Sequence, residues 1–154
     1  MLSKIKESLT YDAETGRLFN SKTGKLAGKK TQQGYLVVTV AGQSVFAHRA
    51  CWAIYYGQWP SMMIDHINHD KTDNRICNLR EATAMQNLRN RPRQTNNTTG
   101  AKGVSFHKFS GKYRAQIKVD GKKLHLGLFE TPEAAHAAYA AAAVRFHGDF
   151  ACAG

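Results

Sequence analysis

The chain has 154 residues, with 22 Lys+Arg against 11 Asp+Glu, a formal net charge of +11, and three cysteines. That surplus points to a polyanionic partner, nucleic acid or an anionic membrane. A membrane role is set aside: no apolar run approaches the roughly 20 residues a bilayer span needs, and the opening MLSKIKESLTYDAETG lacks the apolar core of a secretory signal. Cys51, Cys77 and Cys152 are odd in number, widely spread and form no CxxC pair, which argues against a disulfide framework or a thiolate zinc site. A soluble, cytoplasmic protein is expected.

Residues 1–47 read as a small β-rich module. Gly16 and Gly24 mark turns, GYLVVTV at 34–40 is rich in β-branched and aromatic residues, Ala41-Gly42 signals a turn, and residues 43–47 return. A helix follows over 48–56, with Ala47, Ala50, Cys51, Ile54 and Tyr55 at helical spacing and Gly57 as its cap. Residues 62–64 form a short apolar strand leading into Asp65-His66, and a polar loop covers 69–75. Thr83 and Gln86 fit the capping box of a helix that Pro92 ends. Residues 92–99 sit in a stretch without apolar side chains and read as a linker, with Arg91 and Arg93 placed to follow a phosphate backbone.

From residue 100 a second module begins. Strands are predicted at 103–108, 112–119 and 122–129, with Asp120-Gly121 as a hairpin turn. Thr131 as N-cap and Pro132 at the first helical position open an alanine-rich helix running to His147. Alternation sorts Tyr113, Ala115, Ile117 and Val119 to one face, and Lys112, Arg114, Gln116 and Lys118 to the other. The third strand repeats the pattern, with Leu124, Leu126 and Leu128 against Lys123 and His125. Ser105, His107, Arg114, Gln116, Lys118, Lys123 and His125 therefore form the face expected to meet nucleic acid, since Arg and Gln read base edges and Lys meets phosphate.

The segment 64–87, IDHINHDKTDNRICNLREATAMQN, carries the chemistry. It resembles the HNH endonuclease motif in the subgroup of phage and intron homing enzymes, written DHxNxDxxDNRxxNLRxAT with a following helix Asn. Asp65, His66, Asn68, Asp70, Asp73, Asn74, Arg75, Asn78, Leu79, Arg80, Ala82, Thr83 and Asn87 match in order. The likeness extends upstream through His48-Arg49, Trp52, Gly57 and Trp59-Pro60. It implies an α+β fold with a ββα-metal core inside a nuclease domain over 1–91.

The resemblance implies that His66 is the general base, Asp65 and Asn87 are the metal ligands, and Asn78 orients the His66 ring and pins the loop. The residue types agree. An imidazole is largely neutral at pH 7, and a carboxylate with an amide oxygen suits Mg²⁺, or another divalent ion such as Mn²⁺, which keeps several waters. Asp65 and His66, adjacent in an extended strand, point to opposite faces unless the strand bends or ends there. Asn90 is the nearest substitute for Asn87, which stands where many HNH proteins carry His. His69 reads as a solvated loop residue. Arg75 and Arg80 either clamp phosphates or pair with Asp70, Asp73 or Glu81.

Residues 100–154 resemble the AP2 DNA-binding domain through Gly103-Val104, GKYRA at 111–115, LGLF at 126–129, TPEAA at 131–135, Ala138-Tyr139, Ala142-Ala143 and Gly148; the end, Ala151-Cys152, departs from it. Together the two likenesses imply a phage-type homing endonuclease acting on double-stranded DNA as a monomer or weak dimer, in a bacterial host cytoplasm. It would leave 3′-hydroxyl and 5′-phosphate ends. Two other readings stay open: a non-catalytic DNA-binding regulator with a relict HNH fold, and a low-specificity defence or packaging nuclease.

Overall fold

The computed structural model describes residues 1–91 and 97–152. The chain divides into two units, Met1–Ala84 and Met85–Gly154. That division precedes the 92–99 segment expected as the linker.

The first unit opens with a helix the sequence did not announce, α1 (Leu2–Ser8), whose one buried side chain is Ile5. Strands β1 (Leu9–Asp12), β2 (Arg17–Asn20) and β3 (Leu26–Ala27) form one antiparallel sheet. A second contains β4 (Lys29–Lys30), β5 (Leu36–Val40) and β6 (Gln43–Phe46). Alternation in β5 works as read: Val38 and Val40 are buried and Thr39 between them is exposed. Helix α2 (Ala47–Tyr56) ends at Gly57, the cap expected.

Strand β7 (Met63–His66) pairs antiparallel with β8 (Leu79–Ala82), a strand the sequence reading did not identify. Between them lie the polar loop and one 3₁₀ turn, Ile76–Asn78. Ile5, Leu9, Leu18, Val38, Val40, Ala50, Cys51, Ile64 and Leu79 belong to one buried cluster. The amino-terminal strands and the strand bearing Asp65-His66 therefore share a core. Such burial stabilises by about 1.5–3 kcal/mol per large aliphatic side chain. Helix α3 (Ala84–Arg89) begins at the last residue of this unit.

In the second unit β9 (Val104–His107), β10 (Lys112–Val119) and β11 (Lys122–Phe129) make an antiparallel sheet in the order β11-β10-β9, and α4 (Pro132–His147) packs on it. Thr131 caps α4, its hydroxyl oxygen accepting from the Ala134 N–H at 3.2 Å. Gly103 permits a close approach: a Cβ there would lie 2.0 Å from the Tyr139 ring.

One expectation is corrected. The Leu124/Leu126/Leu128 alternation predicts three core-facing leucines; Leu126 does pack against the core, but the register shifts between Ala115 and Gln116, so that Gln116 pairs with His125 and Ala115 with Gly127. Leu126 is the extra residue of a bulge. Gly127 takes the core position, and Leu128 falls opposite Arg114 on the polar face, 41% exposed. Among the described residues no helix is long and apolar enough to cross a membrane.

Candidate active site

Asp65 and His66 end β7, and both are buried. In the ladder Asp65 faces Arg80 and His66 faces Leu79. The strand continues through both residues, so alternation gives them different surroundings. Asp65 Oδ2 accepts from Arg80 Nε at 2.9 Å and lies 2.9 Å from Nη2. His66 Nε2 lies 3.0 Å from Asn74 Oδ1. An amide oxygen can only accept, so Nε2 carries the proton and the neutral ring keeps its lone pair on Nδ1. That lone pair is the one a water could protonate.

The ring contact expected of Asn78 thus falls to Asn74. Asn78 instead closes the loop. Its Nδ2 donates to Asn68 Oδ1 at 2.9 Å and to the Asp73 carbonyl at 2.8 Å, while its Oδ1 accepts from the Asn68 N–H at 3.0 Å. Its carbonyl also accepts from the Ile67 N–H at 2.9 Å. Asn68 and Asn78 therefore tie the two strand ends together, the loop-pinning half of the role the sequence suggested. His69, at φ 67°, is exposed on this loop.

Of the two arginines left open, each has a carboxylate partner here. Arg75 meets Asp73 through Nε at 2.8 Å and Nη2 at 2.6 Å. The Arg75 guanidinium pulls the Asp73 carboxyl down to about 2. Arg80 pairs with Asp65 rather than with Asp70, Asp73 or Glu81, because β8 runs antiparallel across from β7 and sets the two residues opposite each other.

Around His66 stands an aromatic wall. The His48 ring lies edge-on to His66 at 5.2 Å and stacks on Phe46 at 5.3 Å, and Tyr35 sits 6.1 Å from His66. Burial pushes the His48 imidazole down to about 3, with the neighbouring His66 and Arg49 adding to the effect, so it is neutral at ordinary pH. His48 Nδ1 has no hydrogen-bond partner among the described residues. Lys71 donates to the Gln33 carbonyl at 2.9 Å and lies 4.7 Å over the Tyr35 ring.

Arg49 holds the approach to β7, donating to the carbonyls of Met62 at 3.0 Å and Pro60 at 3.1 Å. Glu81 Oε1 holds it from the other side, accepting from the Ser61 N–H at 2.7 Å. Asn74 belongs to the matched motif and His48 and Arg49 to the likeness upstream of it, but their tasks depend on loop and ring placement that spacing does not encode.

In the second unit Asn87 lies half-buried on α3 and Asn90 is buried just past its end. No group of three or more His, Cys, Asp or Glu suited to a metal occurs among the described residues. The β-sheet brings its predicted set together. Arg114 pairs with Ser105, Lys112 with His107, Gln116 with His125 and Lys118 with Lys123, all on the polar face. Arg91 is exposed, and Arg93 lies outside the described residues.

Residues 45–89 match the family model described as HNH endonuclease. The matched segment runs from the end of β6 to the end of α3. The solved structure described as "DNA binding and cleavage by the HNH homing endonuclease I-HmuI" aligns with 90% of this chain and 84% of that chain, at 18% identity and a TM-score of 0.45. No curated protein matches.

Proposed function

We propose that the chain is a metal-dependent endonuclease that hydrolyses phosphodiester bonds of double-stranded DNA. The observation that carries this is the His66–Asn74 contact inside the HNH domain, since it leaves the Nδ1 lone pair as the base. His66 Nδ1 takes the proton of the water that attacks phosphorus. Asn78 keeps the loop closed around that ring, and the neutral His48 with Tyr35 walls off one side of it.

Asp65 offers an oxygen donor to a hard divalent ion such as Mg²⁺ or Mn²⁺, and the HNH resemblance assigns the other donor to Asn87. Both are oxygens, and few protein donors suit an ion that keeps several waters. When bound, such an ion supplies charge neutralisation at the scissile phosphate and the leaving 3′ oxygen. The products would be 3′-hydroxyl and 5′-phosphate ends.

Residues 100–154 are read as an AP2-like DNA-binding domain. In support, the sheet gathers Ser105, His107, Arg114, Gln116, Lys118, Lys123 and His125 on its polar face, with the core residues Ala115 and Ile117 on the other. Arg91 and Arg93 add basic charge along the chain leading to it. The whole is a homing-type enzyme of phage character.

Supercoiled plasmid incubated with the protein and a panel of divalent ions tests this. Nicked or linear product that EDTA suppresses and His66→Ala abolishes is expected. DNA binding without product in any ion would make the chain a non-catalytic regulator. Cleavage scattered over phage genomic DNA would make it a low-specificity nuclease.

A further inference from the structure

Asn74 fixes the proton on the His66 ring, so whatever fixes Asn74 fixes the base. Asn74 is buried at 1% exposure, and its backbone is held from an unexpected quarter. The Tyr11 hydroxyl donates to the Asn74 carbonyl at 2.8 Å across 63 positions of sequence. Burial of the Tyr11 phenol, with the nearby Cys51 and Cys77 thiols, pushes its pKa far up, so it stays a donor. From the same hairpin, Gly16 presses directly on the next peptide. A Cβ at Gly16 would lie 2.4 Å from Arg75 N and 2.7 Å from Asn74 C, and φ there is 71°. Those neighbours are backbone atoms and cannot swing aside as a flexible side-chain end can. The hairpin itself is anchored by Leu9 and Leu18, in the same core as Ile64 and Leu79 of the catalytic strands.

We propose that the β1–β2 hairpin is a positioning element of the active site. Tyr11 and Gly16 seat the Asn74 backbone so that its amide oxygen accepts a hydrogen bond from His66 Nε2–H, which selects the ring tautomer with its lone pair on Nδ1. The inference rests on His66 acting as the base. A shift of about 1 Å in that peptide would separate the amide from the ring, and misplacements of that size cost on the order of a hundredfold in rate. The hairpin lies outside residues 45–89, the extent of the HNH match.

The experiment uses the full chain with ¹⁵N-labelled histidine. Tyr11→Phe keeps the ring and removes only the hydroxyl donor. Single-turnover plasmid cleavage, DNA affinity and the His66 tautomer by long-range ¹H–¹⁵N correlation are read together. The wild type is expected to show His66 as the Nε2–H form. Tyr11→Phe should mix in the Nδ1–H form and slow cleavage about five- to tenfold, the worth of one hydrogen bond, with DNA affinity unchanged within about twofold. Gly16→Ala should lose more, and Asn74→Ala sets the limit. If Gly16→Ala does not fold, Tyr11→Phe carries the test. His66 remaining wholly Nε2–H in Tyr11→Phe overturns the proposal, whether or not the rate falls. A tautomer shift in a protein that cleaves nothing upholds the positioning role and sinks the nuclease reading instead.

Discussion

Arg80 and Asp65 face each other across the β7–β8 ladder, with Arg80 Nε and Nη2 both 2.9 Å from one carboxylate oxygen. The side chains are 15% and 7% exposed, so this ion pair sits largely out of water. An ion at Asp65 would have to share the carboxylate with the guanidinium. Arg80→Met removes the guanidinium from beside the buried Asp65 side chain, and breaking a buried pair this way costs about 3–5 kcal/mol. A divalent cation can then supply the missing charge. Thermal unfolding of both proteins with and without Mg²⁺ checks this, and the stabilisation by metal should be larger in Arg80→Met. An equal shift in both would remove Asp65 from the ligands.

His48 gives the first unit a pH dependence with a definite sign. Its folded pKa of about 3 lies below the ordinary 6.5, so the unfolded chain binds more protons in between. The stability this group contributes is complete above pH 6.5 and is lost as pH falls towards 3. The slope from one group cannot exceed about 1.4 kcal/mol per pH unit. Denaturant unfolding between pH 4 and 7.5 should therefore be less pH-dependent in His48→Phe than in the wild type. Parallel curves would mean that the buried ring is not the titrating group.

The parts legible in the sequence are those where a period meets a single burial pattern. Val38 and Val40 around exposed Thr39, and Thr131-Pro132 ahead of α4, are of this kind. Helix α1 was not legible, because seven residues with one buried side chain carry no period. Strand β8 was not, because Leu79-Arg80-Glu81-Ala82 has apolar ends and a charged middle. Asp65, His66, Asn78 and Asn87 stand out by spacing, but Asn68, Asn74 and Asn78 are chemically identical. Which of them meets His66 depends on where the loop turns, and that is set partly by Tyr11 and Gly16, far off in sequence. The β11 bulge was hidden for a related reason. Alternation runs unbroken through Leu124–Leu128 in the sequence, and only the pairing with β10 moves Gly127 to the core side.

Gly103 tests the packing of α4 on its sheet. Its φ of 75° and the position of a Cβ 2.0 Å from Tyr139 leave no room for a side chain against a buried ring. Gly103→Ala should destabilise the second unit by about 2–3 kcal/mol or more, from combined overpacking and backbone strain. Hydrogen exchange resolved by segment is the measurement, with protection lost in β9, β10 and α4 and kept in α2 and β5. Uniform loss across the chain would show that the two units unfold as one.

The sheet face makes the final prediction quantitative. Lys118 and Lys123 are cross-strand partners, as are Gln116 and His125, and Arg114 lies next along the same face, its Nη2 3.4 Å from Ser105 Oγ. Lysines meeting phosphate release counterions, so each of Lys118→Ala and Lys123→Ala should lower the slope of log K against log salt by about 0.9 and weaken binding to all sequences alike. Arg114→Ala should behave differently. An arginine on a base edge contributes about 1–3 kcal/mol of discrimination, so its loss should narrow the gap between preferred and unrelated DNA. Leu128, brought opposite Arg114 by the bulge, offers an apolar neighbour on that face. Binding titrations at four salt concentrations on two duplexes separate these effects. If Arg114→Ala and Lys118→Ala move both duplexes equally, the face holds DNA by charge alone, and target choice has to reside in another part of the chain.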